Sequence, residues 1–88
     1  MKTLTARRSP YGPTWAVTAD GDCTSRLTTT DGRSVSHVAI WTDNDRMTFS
    51  VDADVWLANS NLCREQLTPI KFRKFERALA WAQANLAA

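Results

Sequence analysis

The chain has 88 residues, a net charge of +2 and a hydrophobic fraction of 43%, and it includes four tryptophans. This length suffices for one domain and leaves no room for a second core. A disordered chain would be poorer in apolar and aromatic residues. We therefore expect a single small folded domain spanning residues 1–88.

Two features of the sequence bear on location and cofactors. The first residues lack the apolar stretch of a secretory signal, and no run reaches the roughly 18–20 apolar residues of a membrane span. We therefore expect a soluble cytoplasmic protein that does not contact the membrane, in which Cys23 and Cys63 stay reduced. Two cysteines and one histidine match no usual zinc spacing, so neither a metal nor a cofactor is expected.

Charge is unevenly distributed along the chain. Residues 1–19 carry three basic residues and no acid, residues 20–60 carry seven aspartates against three arginines, and residues 61–88 carry five basic residues against two glutamates. A uniform polyanion binder would not concentrate carboxylates in its middle, because each one repels phosphate.

The first half of the chain predicts a sheet. Residues 1–13 contain two prolines and a glycine and are expected to form an N-terminal arm. Residues 14–19 alternate apolar and polar positions, and residues 25–30, 34–42 and 47–51 are rich in β-branched and apolar residues. The Asp-Gly pair at positions 31 and 32 favours a hairpin turn. Residues 14–51 are therefore predicted to form a four-stranded antiparallel β-meander.

The second half predicts a helix. Residues 52–67 are expected to form a short helical or irregular connecting segment, and Thr68 with Pro69 is typical of a helix start. No helix breaker follows, so residues 68–88 are predicted to form a long C-terminal helix. Its apolar stripe recurs at steps of three and four and comprises Phe72, Phe75, Leu79, Ala82 and Leu86. The predicted fold class is α+β, with the helix packed across the meander.

No arrangement of residues indicates catalysis. His37 is the only histidine, it lies in the middle of a predicted strand, and no serine sits in a glycine elbow. The aspartate pairs lie in or beside predicted turns, where aspartate is favoured for its backbone hydrogen bonds. We therefore expect a protein that is not an enzyme and has no catalytic or metal-binding residues.

Two surfaces are candidates for contact with a partner. Helical geometry places Trp81, Lys74 and Arg77 opposite Phe72, which predicts an outward indole between two cations. In the alternative, Trp81 packs against the N-terminal arm or the 52–67 segment. The second surface is the uncovered side of the sheet.

Which side of the sheet is uncovered depends on the third strand. If the helix covers Val38 and Ile40, then His37 and Trp41 lie on the open side. If the helix covers the other side, Trp41 belongs to the core, and the pattern does not decide between the two.

The leading functional prediction is a non-catalytic module that binds a host or cognate protein complex. Small domains without catalytic chemistry are typical of phage and mobile-element accessory proteins, including inhibitors of host defence such as anti-CRISPR proteins; the analogy is one of size, not of motif. Acidic turns could then mimic nucleic acid. The predicted partner-binding residues are Trp81, Lys74, Arg77, Asp43, Asp45, Asp52 and Asp54.

Two alternatives belong to other classes. A small DNA- or RNA-binding domain would use the basic ends and aromatic residues, here Lys2, Arg7, Arg8, Tyr11, Lys71 and Arg73. A self-associating structural module would form a homodimer through the Trp81 surface.

Overall fold

A computed structural model describes residues 3–9, 14–19, 27–30, 32–43, 47–56, 62–67 and 71–87. These residues form an antiparallel sheet and one C-terminal helix, which confirms the α+β class. The elements are β1 (Leu4–Arg8), β2 (Thr14–Ala19), β3 (Leu27–Thr28), β4 (Ser34–Thr42), β5 (Phe49–Trp56), β6 (Leu62–Gln66) and α1 (Phe75–Leu86).

The sheet is organised around β4. The strand order is β1-β2-β4-β5-β6, and β3 pairs with the start of β4 on the edge that β2 also uses. β2 and β4 have the bounds that were predicted from the sequence. A simple meander would pair β2 with β3, whereas here β2 pairs directly with β4. The described sheet also includes two strands, β1 and β6, that the sequence did not predict.

The predicted N-terminal arm is wrong for residues 4–8, which form β1. This strand pairs with β2 along its whole length, from Leu4 opposite Ala19 to Arg8 opposite Trp15. The backbone N–H of Leu4 also donates to Gln83 Oε1 on α1, at 2.8 Å. The prolines and glycine that suggested an arm lie beyond the strand, outside the described residues.

The predicted connecting segment is wrong for residues 52–56 and 62–66, which are strands. β5 continues to Trp56 because Val51, Ala53 and Val55 keep the period-two alternation and are fully buried. β6 then pairs with β5 from Asp52 opposite Gln66 to Trp56 opposite Leu62.

The helix begins later than predicted. Phe72 is held in an isolated antiparallel bridge, in which its N–H and C=O both bond the backbone of Phe49, so it is not helical. α1 therefore begins at Phe75, with Lys74 in an extended conformation before it. The predicted start at Thr68 and Pro69 lies outside the described residues.

One side of the sheet and one side of α1 form the core. The largest fully buried side chains are Ile40, Leu86, Val35, Val51 and Val55. Each contributes about 1.5–3 kcal/mol relative to exposure. The helix presents the small residues Ala78 and Ala82 together with Leu86, whereas Phe72, Phe75 and Leu79 of the predicted stripe are only partly buried. Alanine at the contact lets α1 approach the sheet closely.

Candidate partner-binding surfaces

On the predicted helix surface, Trp81 has a different environment from the two cations Lys74 and Arg77. Lys74 and Arg77 are exposed, but Trp81 is partly buried and packs against the core. Trp81 lines an open cleft of about 160 Å³ together with Leu67, Arg33 and Thr29 among others. The arrangement corresponds to the alternative in which Trp81 packs towards the 52–67 segment, because Leu67 ends that segment. The two cations remain outward without the indole between them.

The predicted acidic residues have different environments. Asp43 directly follows β4, with Oδ2 accepting from Thr48 Oγ1 at 3.0 Å and Oδ1 accepting from Ser50 Oγ at 3.3 Å. Lys71 Nζ lies 3.7 Å from Asp43 Oδ1, and the aspartate side chain is only 15% exposed. Asp43 therefore connects the end of β4 to the start of β5. Asp45 lies outside the described residues.

Asp52 and Asp54 lie on β5, between its buried residues. Because side chains alternate along a strand, both project from the side of the sheet opposite α1. Both are partly buried.

The predicted basic residues gather mainly at one end of the molecule. The Arg8 guanidinium lies 5.5 Å from the centre of the Trp15 ring, and that ring lies 4.8 Å from Phe75 at the start of α1. Phe49 completes this aromatic cluster, with ring centres 5.8 Å from Trp15 and 6.1 Å from Phe75. The cluster brings β1 beside the start of the helix. We call the exposed cations there the basic end: Arg8, Arg73, Lys74 and Arg77.

The remaining predicted cations lie elsewhere. Arg7 is exposed on the side of β1 that faces away from α1, and Lys71 pairs with Asp43. Lys2 and Tyr11 lie outside the described residues.

The side of the sheet opposite α1 is covered by no described element, and we call it the open face. On this face Ala16 of β2 pairs with Ala39 of β4. Trp41 lies opposite Thr14 of β2 and Ser50 of β5, and it is 37% exposed. The described positions of this face include Thr5, Arg7, Thr14, Ala16, Thr18, Thr28, Ser34, Ser36, Ala39, Trp41, Ser50, Asp52 and Asp54.

A β-bulge in β4, the central strand, includes His37. The β4–β5 register shifts between Ser36, opposite Asp54, and Ala39, opposite Asp52, so His37 and Val38 together face Ala53. His37 has a positive φ of 53°, which is unusual for a residue with a Cβ atom. Its Nδ1 lies 3.0 Å from Asp54 Oδ2, and its side chain is 74% exposed against 18% for Asp54.

This bulge was not predicted, although the sequence contains a signal for it. Val35, Val38 and Ile40 are all buried on the helix side. The step of three from Val35 to Val38 breaks the period of two and requires one extra residue in the strand.

The chemistry around His37 does not match a nucleophile and its base. Ser36 Oγ lies 3.3 Å from the same Nδ1 that contacts Asp54. In a hydrolase triad the serine and the carboxylate bind opposite nitrogens of the ring. Among the described residues no group of histidine, cysteine or acidic side chains could hold a metal ion.

Comparisons of the chain with protein-family models, with curated proteins and with solved structures find no match. Within the part of the chain that the structure describes, no helix is long and apolar enough to cross a membrane.

Proposed function

We propose that this protein is a non-catalytic module that binds another protein through the open face of its sheet. The observation that carries the proposal is Trp41, a large aromatic residue exposed on a face that no described element covers. Tryptophan is enriched among residues that dominate binding energy at protein interfaces.

Charge on the open face favours a protein partner over a nucleic acid. Asp52 and Asp54 lie on the face and would repel phosphate, whereas Arg7 lies across the sheet on β1. A face with both signs of charge and one aromatic residue suits the mixed surface of a protein. This proposal moves the contact from the predicted Trp81 surface to Trp41.

The test is a pull-down from lysate, with and without nuclease, using wild type and the Trp41→Ala and Trp81→Ala variants. We expect a stoichiometric protein partner that survives nuclease and is lost with Trp41→Ala. Circular dichroism of the variant should match wild type, because a partly exposed side chain contributes little to folding. Retention of the partner by Trp41→Ala, with loss in Trp81→Ala, would contradict the open-face contact.

The second candidate is a nucleic-acid binder, and one observation favours it. The contact of Arg8 with Trp15 brings a cation of β1 beside Arg73, Lys74 and Arg77 of the helix start. Neutralising three or four phosphates would give a slope of log affinity against log salt of about −3 on duplex DNA. Fluorescence anisotropy with a labelled duplex measures this slope. Salt-independent or undetectable binding excludes the basic end as a nucleic-acid site.

The biological setting that we propose is an accessory protein of a phage or mobile element that inhibits a host complex in the cytoplasm. Its support is the size of the domain and the absence of catalytic motifs from the sequence. Acidic mimicry would then use Asp52 and Asp54, which lie on the open face. Inhibition of a purified host complex by wild type, lost with the Asp52→Asn/Asp54→Asn double variant, tests this setting.

A self-associating module is the remaining alternative. It would use the Trp81 surface, and Trp81→Ala should then lower the molecular mass measured by light scattering. An unchanged monomer mass in wild type and variant would exclude it.

A further inference from the structure

We infer that the free edge of β1 accepts an extended acidic segment of a partner protein as an additional strand of the sheet. β1 ends the strand order, so its second edge pairs with no described strand. The inference rests on the proposed function only in that the partner is a protein. It concerns the edge of the sheet and not the open face around Trp41.

The register shows which backbone groups of β1 point outward. Ser9 N–H donates to the carbonyl of Thr14 at 2.8 Å, and Ser9 lies one position beyond the β1–β2 ladder. Hydrogen-bonded pairs alternate along an antiparallel ladder, so Thr5 and Arg7 direct their backbone groups towards β2. The N–H and C=O groups of Ala6 and Arg8 therefore point away from the sheet.

The outward N–H at the start of β1 has a hydrogen-bond partner, whereas those nearer its end have none among the described residues. At the start of β1, the outward N–H of Leu4 donates to Gln83 Oε1, which occupies the position that a partner carbonyl would take. No described residue accepts from the N–H of Ala6 or Arg8. These two residues offer two donors and two acceptors, which is the pattern that binds an added strand.

Side-chain charge identifies the chemistry of that strand. β1 carries Arg7 and Arg8 and no acid, and both arginines are exposed. They project to opposite sides of the sheet, so acidic residues at successive positions of an added strand would each meet one arginine. A second copy of β1 would bring four arginines together at one seam. The cations therefore disfavour pairing between copies and favour an acidic partner.

The probe is an acetylated heptapeptide of valine and threonine with two adjacent glutamates at its centre, one for each side of the added strand. Its control is the same peptide with lysine for glutamate. Amide proton NMR of the full chain should show slower hydrogen exchange at Ala6 and Arg8 on addition of the acidic peptide, with Leu4 unchanged. We expect affinity at least tenfold higher for the acidic peptide than for the basic one. Equal affinity, or shifts confined to residues outside β1, would overturn the inference.

Two variants separate pairing from general attraction. Ligation at Cys23 allows Ala6 to carry an N-methyl group, which removes an outward donor and leaves charge and ladder intact. We expect a tenfold loss of peptide affinity, whereas an unchanged affinity would overturn the inference. The Arg7→Gln/Arg8→Gln double variant should also weaken binding. Lys74→Gln/Arg77→Gln, with the same change in net charge, should not, and an equal loss in both would show nonspecific attraction and refute edge pairing.

The outcome is independent of the lysate experiment. Trp41→Ala leaves the β1 edge intact and should bind the acidic peptide as wild type does. Failure of the peptide to bind refutes edge pairing and does not affect the open-face proposal. Failure of the pull-down refutes the open-face proposal and does not affect edge pairing.

Discussion

Deletion of His37 should leave the fold intact, because the bulge makes it a surplus residue of β4. Without it, Ser36 would still face Asp54, Val38 would face Ala53 and Ala39 would face Asp52, which is a regular ladder. Val38 would also stay on the buried side, since the alternation from Val35 onward becomes regular.

The gain and the loss of stability that follow from deletion of His37 nearly cancel. Deletion removes a positive φ at a residue with a Cβ atom, which costs about 1–2 kcal/mol in the wild type. It also removes the contact between His37 and Asp54, and an ion pair with a largely exposed partner contributes at most about 1 kcal/mol. We therefore expect the free energy of unfolding to change by less than about 1 kcal/mol.

Deletion of Ala39 is the matched control, because it shortens the same strand by one residue. A regular ladder would then place His37 in the core and Val38 on the open face. Exposing a valine costs about 1.5–2 kcal/mol, and burying a polar ring without a partner costs about 1–3 kcal/mol. Both deletions relieve the positive φ and remove the contact with Asp54, so the control should be less stable than the His37 deletion by about 2.5–5 kcal/mol.

Urea denaturation followed by tryptophan fluorescence measures both variants, and amide NMR reports the β4–β5 register. A loss of more than 2 kcal/mol on deletion of His37, or equal losses in the two variants, would refute the reasoning. The bulge would then be required for folding.

Three further predictions concern contacts that tie the molecule together. Asp43→Ala should lower the free energy of unfolding by about 1–3 kcal/mol, since two hydroxyl donors lose their acceptor. A change below about 0.5 kcal/mol in urea denaturation would contradict the stabilising role of Asp43. Gln83→Met should lower the free energy of unfolding by about 0.5–1.5 kcal/mol and accelerate hydrogen exchange at the Leu4 amide. Unchanged exchange would show that the hydrogen bond from Leu4 N–H to Gln83 is not formed in solution. Trp15→Ala should cost about 3 kcal/mol because its ring joins β2 to α1, and a calorimetric melting temperature within two degrees of wild type would show that the aromatic cluster is not needed.

Local patterns in the sequence predicted the elements whose signals are short-range. Thr14–Ala19 was predicted with its observed bounds from its alternation, and Ser34–Thr42 was predicted with its observed bounds from its β-branched and apolar residues. The C-terminal helix was predicted from its alanines and the absence of breakers.

The errors arose where pairing partners decide the structure. Residues 4–8 have no strong strand pattern, and they form β1 because β2 offers a free edge to them. Phe72 lies within a helical pattern but bonds Phe49 on β5, so tertiary pairing overrides helix propensity there. No local pattern contains such long-range partners.

The environments of Trp41 and Trp81 also depend on long-range packing. The sequence pattern allowed each tryptophan to be either exposed or packed, and packing across the sheet determines which. The bulge at His37 resolves the strand, because it lets Val35 and Val38 share the buried side and leaves Trp41 on the open face. Arg8 could not be placed beside the helix start from the sequence, since the contact depends on Trp15.

The composition of the open face indicates what kind of complex the protein would form. α1 has 12 residues and is therefore about 18 Å long. As a single helix it covers only one side of the sheet. An antiparallel sheet is stable with its other side in water when that side is polar, and the threonines and serines of the open face meet this condition. Among the open-face residues whose side chains the structure describes, only Trp41 is large and apolar. An obligate interface would be more apolar. Binding through this face should therefore be reversible, with Trp41 supplying much of the energy and the surrounding charges supplying selectivity.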